Sequence, residues 1–464
     1  MMLSLDSEEF RELAQRVTEI AADYLQSLPE RPIIPNTSGA ETQEAFAGPA
    51  PEEGLGVAAL DDLQKVAALS RAQNGGFFGY VLGSGEPVGA TADLLASVIN
   101  QNLTAWRSGP AATVIEQTVV GWLAEAIGCP RFTGTLTGGG SLANLMGLAM
   151  AREAKAPANE GGATPAIVYA STEVHMSIPK AVALLGLGTE SLQLIETDEH
   201  FKMSTAALTE AIDQDLAAGR VPIAVVATSG TVNTGAIDPL EEIADVAGRH
   251  GLWLHVDGAY GGLAAMARPE LFKGLSRADS ISLDAHKWLY QSLDCSCLLY
   301  RDPKNARRAF SHTGDYAKSL SDDPLEGFAF FEETIELSRR FRGLRLWLSL
   351  RYHGLGAFRA AIAENIEQSK RLAQLITDEP DLELLAGVEL SAVCFRWRGA
   401  DEAALDRINQ RLLEAINERG RVYLSNATIN GKFALRACIT NHRTTEDDVR
   451  AVVAELKAAV GTIA

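Results

Sequence analysis

The sequence predicts an α/β fold with a mostly parallel central sheet, a smaller C-terminal α+β domain and an N-terminal helical segment. Short apolar runs such as "AIVYAS", "PIAVVATS", "LWLHVD" and "SISLDA" have the length and composition of buried strands. Helical stretches, for example residues 239–250, lie between several of these runs, and such alternation is typical of a parallel sheet flanked by helices. The chain of 464 residues, 47% of them hydrophobic, can bury the core of two or three structural units.

The N-terminal segment is predicted over residues 1–87. Its first 30 residues carry Phe10, Leu13, Val17 and Ile20 at nearly helical spacing. Residues 31–54, rich in Pro, Gly and Ala, predict a long irregular connection. Because long unstructured connections are uncommon in compact proteins, we expect this segment to lie on another surface, such as a second subunit.

The large domain is predicted over residues 88–344 and contains all the strand-like runs quoted above together with "CSCLLYRD". After the arginine-rich stretch "RRFRGLRLWLSLRYHG" the pattern becomes helix, strand and helix, ending in "TTEDDVRAVVAELKAAV". This change predicts a small C-terminal α+β domain over residues 345–464.

Composition argues against several classes of function. The formal net charge is −19 and there is no basic block, so the chain lacks the footprint of a nucleic-acid-binding protein. No apolar run approaches the roughly 18 residues of a membrane helix, and "MMLSLDSEEF" is unlike a secretory signal. Five scattered cysteines form neither a disulfide framework nor a metal-binding spacing, so we expect a reduced, cytoplasmic protein without a metal site.

Polar residues that follow the strands are the candidate site, because ligands of α/β sheets sit beyond the strand carboxyl ends. In "TGTLTGGGSLANL", Gly140 and Ser141 open a helix whose N-terminus could hold an anion, although the spacing is not that of a nucleotide P-loop. A flexible turn capped by Ser141 is the simpler interpretation of this stretch alone.

Asp257 and His175 each follow a strand. In "HGLWLHVDGAYGG", the Asp257 carboxylate could pair with a protonated ring nitrogen, or it could form an Asx turn. In "STEVHMSIPK", His175 could stack on a planar cofactor or relay a proton, or it could cap a helix. We expect His255 to pack within its strand, facing opposite to Asp257, and assign it no role.

The last two groups are hydroxyls and a lysine. Thr228, with its neighbours in "VVATSGTVNTG", offers donors at a strand end, where a polar turn is the alternative. Lys287, in "SLDAHKWLYQSLDCS", follows an apolar strand beside His286; a lysine held out of water can form a Schiff base, whereas a surface lysine would snorkel. An anion cradle, an imidazole, a carboxylate, hydroxyl donors and a lysine are together the parts of a pyridoxal 5′-phosphate site.

At these motifs the chain resembles the group II pyridoxal-phosphate-dependent amino acid decarboxylases, among them aromatic-L-amino-acid and glutamate decarboxylases. The resemblance covers nearly the whole chain and rests on "GFFGYVLGSG", "TGGGSLANL", "EVHMSIPKA", "HVDGAYGG", "DAHKWLYQSLDCS" and "SRRFRGLRLW". It implies a fold-type-I, aspartate-aminotransferase-like large domain, and a homodimer whose active site lies at the interface. The implied reaction converts an L-amino acid to its amine and CO₂. Asn74-Gly75 departs from the family's usual His-Pro, and Asp284 from its frequent Asn.

The resemblance also implies the residue roles. Gly140, Ser141 and His286 would bind the phosphate, and Thr228 would hydrogen-bond near the ring hydroxyl or to Asp257. His175 would stack on the ring, Ala259 would lie beneath it, and Asp257 would pair with its nitrogen. Lys287 would hold the cofactor covalently. Tyr316, in "SHTGDYAKSLSDDPLEG", falls where the family has a catalytic tyrosine on a mobile loop, a residue that related aldehyde synthases lack.

The substrate and two rival functions stay open at this point. Phe78, Tyr80, Val81 and Trp106 resemble the family's substrate-side segments and favour an aromatic or bulky apolar amino acid. Arg107 could instead recruit aspartate or glutamate. Arg436 would suit an aminotransferase, but the family carries an arginine there too, so it does not discriminate. A non-catalytic pyridoxal-phosphate-binding protein is the third alternative, and the intact lysine, aspartate and histidine argue against it.

Overall fold

The computed structural model describes residues 3–312 and 323–463, and within these ranges the chain forms fifteen α-helices and eleven β-strands. The helices are α1 (Ser7–Ser27), α2 (Gly39–Phe46), α3 (Asp62–Leu69), α4 (Pro87–Ile99), α5 (Pro110–Ala126), α6 (Gly140–Lys155), α7 (Ser177–Leu184), α8 (Thr205–Ala217), α9 (Leu240–His250), α10 (Ala285–Trp288), α11 (Pro303–Phe310), α12 (Gly343–His353), α13 (Leu355–Thr377), α14 (Glu402–Arg419) and α15 (Glu446–Ile463). The strands are β1 (Thr133–Thr137), β2 (Ile167–Ser171), β3 (Leu192–Ile195), β4 (Pro222–Thr228), β5 (Trp253–Gly258), β6 (Ser280–Asp284), β7 (Ser296–Tyr300), β8 (Leu382–Leu384), β9 (Ala392–Trp397), β10 (Ser425–Ile429) and β11 (Lys432–Cys438).

The large sheet has the order β1-β7-β6-β5-β4-β2-β3. Strands β2 to β6 run parallel to one another, whereas β7 is antiparallel to both β1 and β6. Residues 223–227 of β4 are buried on both sides of the strand, as expected where helices cover both faces of a sheet. The predicted α/β class with a mostly parallel sheet is therefore confirmed.

The carboxyl ends of the central strands meet at one edge of this sheet. In the register of β4 against β5, Thr228 lies beside Asp257, and Asp257 lies beside Ser282 of β6. Strand β6 ends at Asp284, and α10 follows without an intervening loop. Three neighbouring strand ends thus bring a hydroxyl and two carboxylates to the same place.

The C-terminal part folds around an antiparallel sheet of order β10-β11-β9-β8, against which α13 and α14 pack. This confirms the smaller α+β unit. The predicted boundary at residues 87/88 falls at the start of α4, and that at 344/345 falls in the first turn of α12. The exact domain limits stay a prediction.

The N-terminal helix α1 is present, but part of the expected irregular stretch is helical. Helix α2 starts from a capping box in which Glu41 N–H donates to Ser38 Oγ (3.2 Å) and Ser38 N–H donates to Glu41 Oε2 (2.7 Å). The S-x-x-E spacing is a known signal for the start of a helix, so α2 could have been predicted from the sequence although it was not. Within α1, all of which is described, no side chain is fully buried, and the apolar Phe10, Val17 and Leu25 are exposed in a single chain. None of the helices in the described ranges is long and apolar enough to cross a membrane.

Candidate active site

A cavity of about 580 Å³ opens at the carboxyl ends of β4, β5 and β6. Most of the residues predicted to form the site line it: Tyr80, Val81, Gly140, Ser141, His175, Thr228, Asp257, Ala259, His286 and Lys287. The residues from Gly140 to Lys287 meet there because the strands of the sheet carry the segments that follow them to one edge, whereas Tyr80 and Val81 reach the cavity from the segment before α4.

Lys287 lies on the four-residue helix α10, directly after β6. The neighbouring Trp288 is fully buried and stacks on Tyr260 with ring centroids 5.9 Å apart, which anchors α10 against the core. The Lys287 side chain is 20% exposed, and its Nζ lies 2.9 Å from Asp284 Oδ2. The lysine is therefore a restrained group inside the cavity and not a snorkelling surface residue.

The Asp257 carboxylate is buried (5% exposed) at the end of β5 and is held by three donors. Asn144 Nδ2–H donates to its Oδ2 (2.9 Å), while Ser282 Oγ–H (3.1 Å) and the backbone N–H of Ala259 (3.2 Å) donate to its Oδ1. Hydrogen bonds to an ionised acceptor are stronger than neutral ones, so this arrangement fixes a negative charge at one point of the cavity wall.

His255 does not face away from Asp257, and that prediction was wrong. Residues two apart on a strand share a face, and His255 Nε2 lies 2.9 Å from Asn144 Oδ1 while its Nδ1 lies 2.8 Å from Ser280 Oγ. Burial lowers the pKa of His255 to about 4, against the opposing effect of the Asp257 charge. The ring is therefore neutral near pH 7, and it supports Asn144 from behind.

His175 lies in the loop between β2 and α7 and is half-buried. Its Nδ1 accepts from the backbone N–H of Ser177 (3.2 Å) and lies 2.8 Å from Ser177 Oγ, so the proton of the neutral ring sits on Nε2. Burial lowers the pKa of His175, with the charges of Asp257 and Asp284 acting in the opposite direction. A neutral imidazole with its Nε2–H free to meet a ligand follows from this geometry.

The glycine turn at the start of α6 leaves backbone open to the cavity. Gly139 has φ 146°, a conformation that favours glycine, and α6 begins without a side-chain cap. A Cβ on Gly140 would lie 2.9 Å from the Cβ of Ala259, so this position has no room for a side chain. The turn capped by Ser141 is not what forms; instead the first N–H groups of a long helix face the cavity, where an anion would be stabilised.

The cavity fits pyridoxal phosphate on its own chemistry. Among the described residues, the buried hydroxyls of Thr228 and Ser229 have no hydrogen-bond partner, and Thr228 lines the cavity. A buried hydroxyl without a partner costs free energy that a ligand could recover. Together with the uncapped helix start, Asp257 and Lys287, these groups match the phosphate, the ring substituents and the aldehyde of the cofactor.

Three predicted residues are not part of this cavity. Phe78 is fully buried in the hydrophobic cluster of the C-terminal sheet, so it cannot touch a ligand here. Trp106 lies in a short 3₁₀-helix, and its backbone N–H donates a hydrogen bond to the carbonyl of Phe328. It does not line the cavity of one chain. Tyr316 lies outside the described residues. Conversely, the sequence analysis did not predict Asn144 as a site residue. The one feature that could have indicated it is its position one helical turn after the glycines that start α6.

Comparison with known proteins agrees with this geometry. Residues 62–398 match the family model described as the pyridoxal-dependent decarboxylase conserved domain. The chain is 34% identical over 471 residues to the aromatic-L-amino-acid decarboxylase of Bacillus atrophaeus, covering 98% of this chain and 96% of that protein. It is 30% identical over 460 residues to the phenylacetaldehyde synthase of Petunia hybrida, covering 94% and 91%.

A solved structure shows the same fold. The crystal structure of Oryza sativa TDC with PLP and tryptamine superposes with a TM-score of 0.94 at 28% identity, covering 100% of both chains. Fold type I, the cofactor pyridoxal phosphate and amino acid decarboxylation follow for this chain from the family match and this likeness. The protein thus belongs to the pyridoxal-dependent decarboxylase family.

Proposed function

We propose that the protein converts an aromatic L-amino acid to the corresponding amine and CO₂. The observation that carries the proposal is that Lys287 and Asp257 line the same cavity. Asp257 lies near the end of β5, and Lys287 lies just after the neighbouring strand β6. The aromatic-L-amino-acid decarboxylase of Bacillus atrophaeus, alike over nearly its whole length, supports the substrate class.

The bound cofactor supplies an electron sink for the bond that breaks at Cα. In this proposal Lys287 would hold the cofactor, and Asp257, held by its three donors, would keep the ring nitrogen of the cofactor protonated. His175 lines the same cavity with its Nδ1 engaged by Ser177, so its ring and Nε2–H would be available to the cofactor. These groups are fixed before substrate arrives, which is how positioning lowers the barrier.

The cavity wall supports an aromatic side chain over an acidic one. Its apolar surface includes Tyr80, Val81, Val232 and Leu293. Arg107, which could have favoured aspartate or glutamate, is exposed and does not line the cavity of one chain. Arg436 is the one arginine among the described lining residues, and it is already engaged with Ser425 and with the carbonyl of Val232.

A substrate panel tests the proposal. The purified holoenzyme is given tyrosine, DOPA, tryptophan, phenylalanine, aspartate and glutamate, and CO₂ and amine are both quantified. We expect kcat/KM to be highest for an aromatic substrate. A higher kcat/KM for aspartate or glutamate would refute the substrate class, and keto-acid-dependent amino transfer without CO₂ would refute decarboxylation in favour of an aminotransferase.

A homodimer with the active site at its interface is part of the same proposal. Large apolar side chains are exposed along α1 and α4, and in one chain they lack a cover: Phe10, Val17, Leu25, Leu94, Leu95, Val98 and Ile99. Patches of this kind mark protein–protein contacts. Light scattering on the purified protein should give twice the mass of 49.6 kDa.

A cytoplasmic location is also proposed, in keeping with the buried, unpaired cysteines of the described ranges.

A further inference from the structure

Asp284 is a buried carboxylate that contacts Lys287 and also borders the glycine turn at Gly140, the two places where the cofactor aldehyde and phosphate would bind. It is 3% exposed, and its Oδ2 lies 2.9 Å from Lys287 Nζ and 3.5 Å from His286 Nε2. Both of its oxygens lie 2.9 Å from the place a Cβ on Gly140 would take, so the carboxylate also borders the glycine turn. The side chain therefore does not point away from the anion-binding region, although an acidic group there opposes an anion.

The surroundings keep Asp284 ionised. Burial would raise the pKa of Asp284, but the charges of Lys287 and His286 and the hydrogen bond donated by Ser296 of β7 hold that pKa below its usual value. Across the cavity stand His175 and the second carboxylate, Asp257. The closest charged partner of Asp284 is thus the ammonium of Lys287, at hydrogen-bonding distance inside a largely buried site.

Cofactor capture has to break this contact. The amine of Lys287 attacks the aldehyde carbon only when it is neutral, so its extra proton leaves to solvent, a C–N bond forms and water departs. Giving up the 2.9 Å contact with Asp284 Oδ2 leaves a buried carboxylate without its nearest positive charge, which opposes this step. The phosphate then brings a second negative charge close to Asp284, where low dielectric strengthens the repulsion.

We propose that Asp284 is a positioning residue whose ion pair with Lys287 restrains that lysine in the cofactor-free enzyme and thereby slows capture of pyridoxal phosphate. The ion pair keeps the lysine pointing into the cavity, and it restrains the lysine from reacting with an aldehyde until the pair is broken. This inference concerns cofactor loading and does not depend on which amino acid is the substrate.

The test is the rate at which cofactor-free protein acquires the absorption band of the lysine-bound aldehyde, for the wild type and Asp284→Asn. Pyridoxal, which lacks phosphate, reports only on the ion pair between Lys287 and Asp284. Pyridoxal phosphate reports on that ion pair and also on the repulsion between its phosphate and Asp284. At neutral pH we expect the variant to react on the order of tenfold faster with pyridoxal, and by a larger factor with pyridoxal phosphate. No amino acid is present, so a negative result would leave the decarboxylase proposal standing.

Asp279→Asn is the matched control, because it removes the same charge just before β6, at the strand's opposite end, and should leave both rates unchanged. A folded Asp284→Asn protein that reacts with pyridoxal at the wild-type rate or more slowly would overturn the proposal. If that variant does not fold, competitive acetylation of the wild type decides the matter. Lys287 should then be labelled about tenfold more slowly than exposed Lys273, and labelling at an equal or higher rate would overturn the proposal.

Discussion

Asn144 joins the carboxylate of Asp257 to the imidazole of His255, with both contacts at 2.9 Å. The direction of these hydrogen bonds follows from the carboxylate end. Asn144 Nδ2–H donates to Asp257, so the Asn144 carbonyl faces His255 and accepts from its Nε2–H, and the neutral ring accepts at Nδ1 from Ser280 Oγ–H. The NH₂ group of Asn144 also donates to Ser177, which contacts His175. One buried amide orients both groups proposed to hold the cofactor ring.

Asn144→Ala should therefore lower kcat more than it changes KM. The variant leaves Asp257 with two of its three donors and frees His175 to turn, and such misplacement costs about 10²-fold in rate. Steady-state kinetics and the circular dichroism of the bound cofactor would both report it. Asn426→Ala, at an exposed position of β10, is the control. Unchanged kcat with an unchanged cofactor signal in the Asn144 variant would contradict the positioning role.

Lys287→Ala should lose the absorption band of the bound cofactor and nearly all turnover, a fall on the order of 10³-fold or more, while the fold is kept. The reason is that no other lysine lines the cavity in the described part of the chain. Absorbance and CO₂ release measure the effect, and Lys273→Ala, at an exposed site, serves as the control. Substantial turnover by a cofactor-saturated variant would disprove the assignment.

Asp257→Asn should keep the cofactor bound but slow decarboxylation by about 10²- to 10³-fold. The amide preserves the shape of the side chain yet removes the negative charge that keeps a ring nitrogen protonated. Single-turnover CO₂ release separates this effect from weaker binding. A variant that retained the wild-type rate would rule out an electrostatic role for this carboxylate.

Tyr316→Phe should reduce the yield of amine and divert part of the flux to aldehyde, ammonia and peroxide. We expect Tyr316 to deliver the proton to Cα after CO₂ leaves, because a phenol donates a proton without a permanent charge. The aldehyde has to be measured together with the amine, because the phenylacetaldehyde synthase of Petunia hybrida is 30% identical to this chain. Amine, aldehyde and peroxide are quantified for both forms with one substrate, and an unchanged amine yield would point to another proton donor, such as His175.

The free energy of unfolding should fall as the pH drops from about 6.5 towards 4. His255 takes up a proton near pH 6.5 in the unfolded chain but only near pH 4 when folded, so the unfolded state binds more protons in between. Between pH 7 and pH 5 this group alone accounts for about 2 kcal/mol. Urea unfolding of the cofactor-free protein at both pH values measures it. His255→Gln should show a smaller pH dependence, and an equal dependence in both proteins would contradict this account.

The sequence by itself determined the fold class and indicated where the candidate site would lie. Alternating apolar strands and helices predicted the mostly parallel sheet, and three of the residues that follow those strands, Thr228, Asp257 and Lys287, line one cavity. This worked because strand periodicity is a local property, and because parallel strands carry their carboxyl ends to the same edge.

Only the tertiary structure decided which side chains touch. Asn144 and Asp257 are 113 residues apart, and no local pattern says that the amide faces the carboxylate. Phe78 matched a substrate-side motif, yet it is buried in the C-terminal core because its backbone pairs with Tyr423 and Cys438. Asp284 stands where the resembling family often has Asn, and only the structure shows that it faces Lys287, since a buried carboxylate needs a nearby positive charge. Contacts of this kind depend on packing between distant segments, which composition and spacing do not encode.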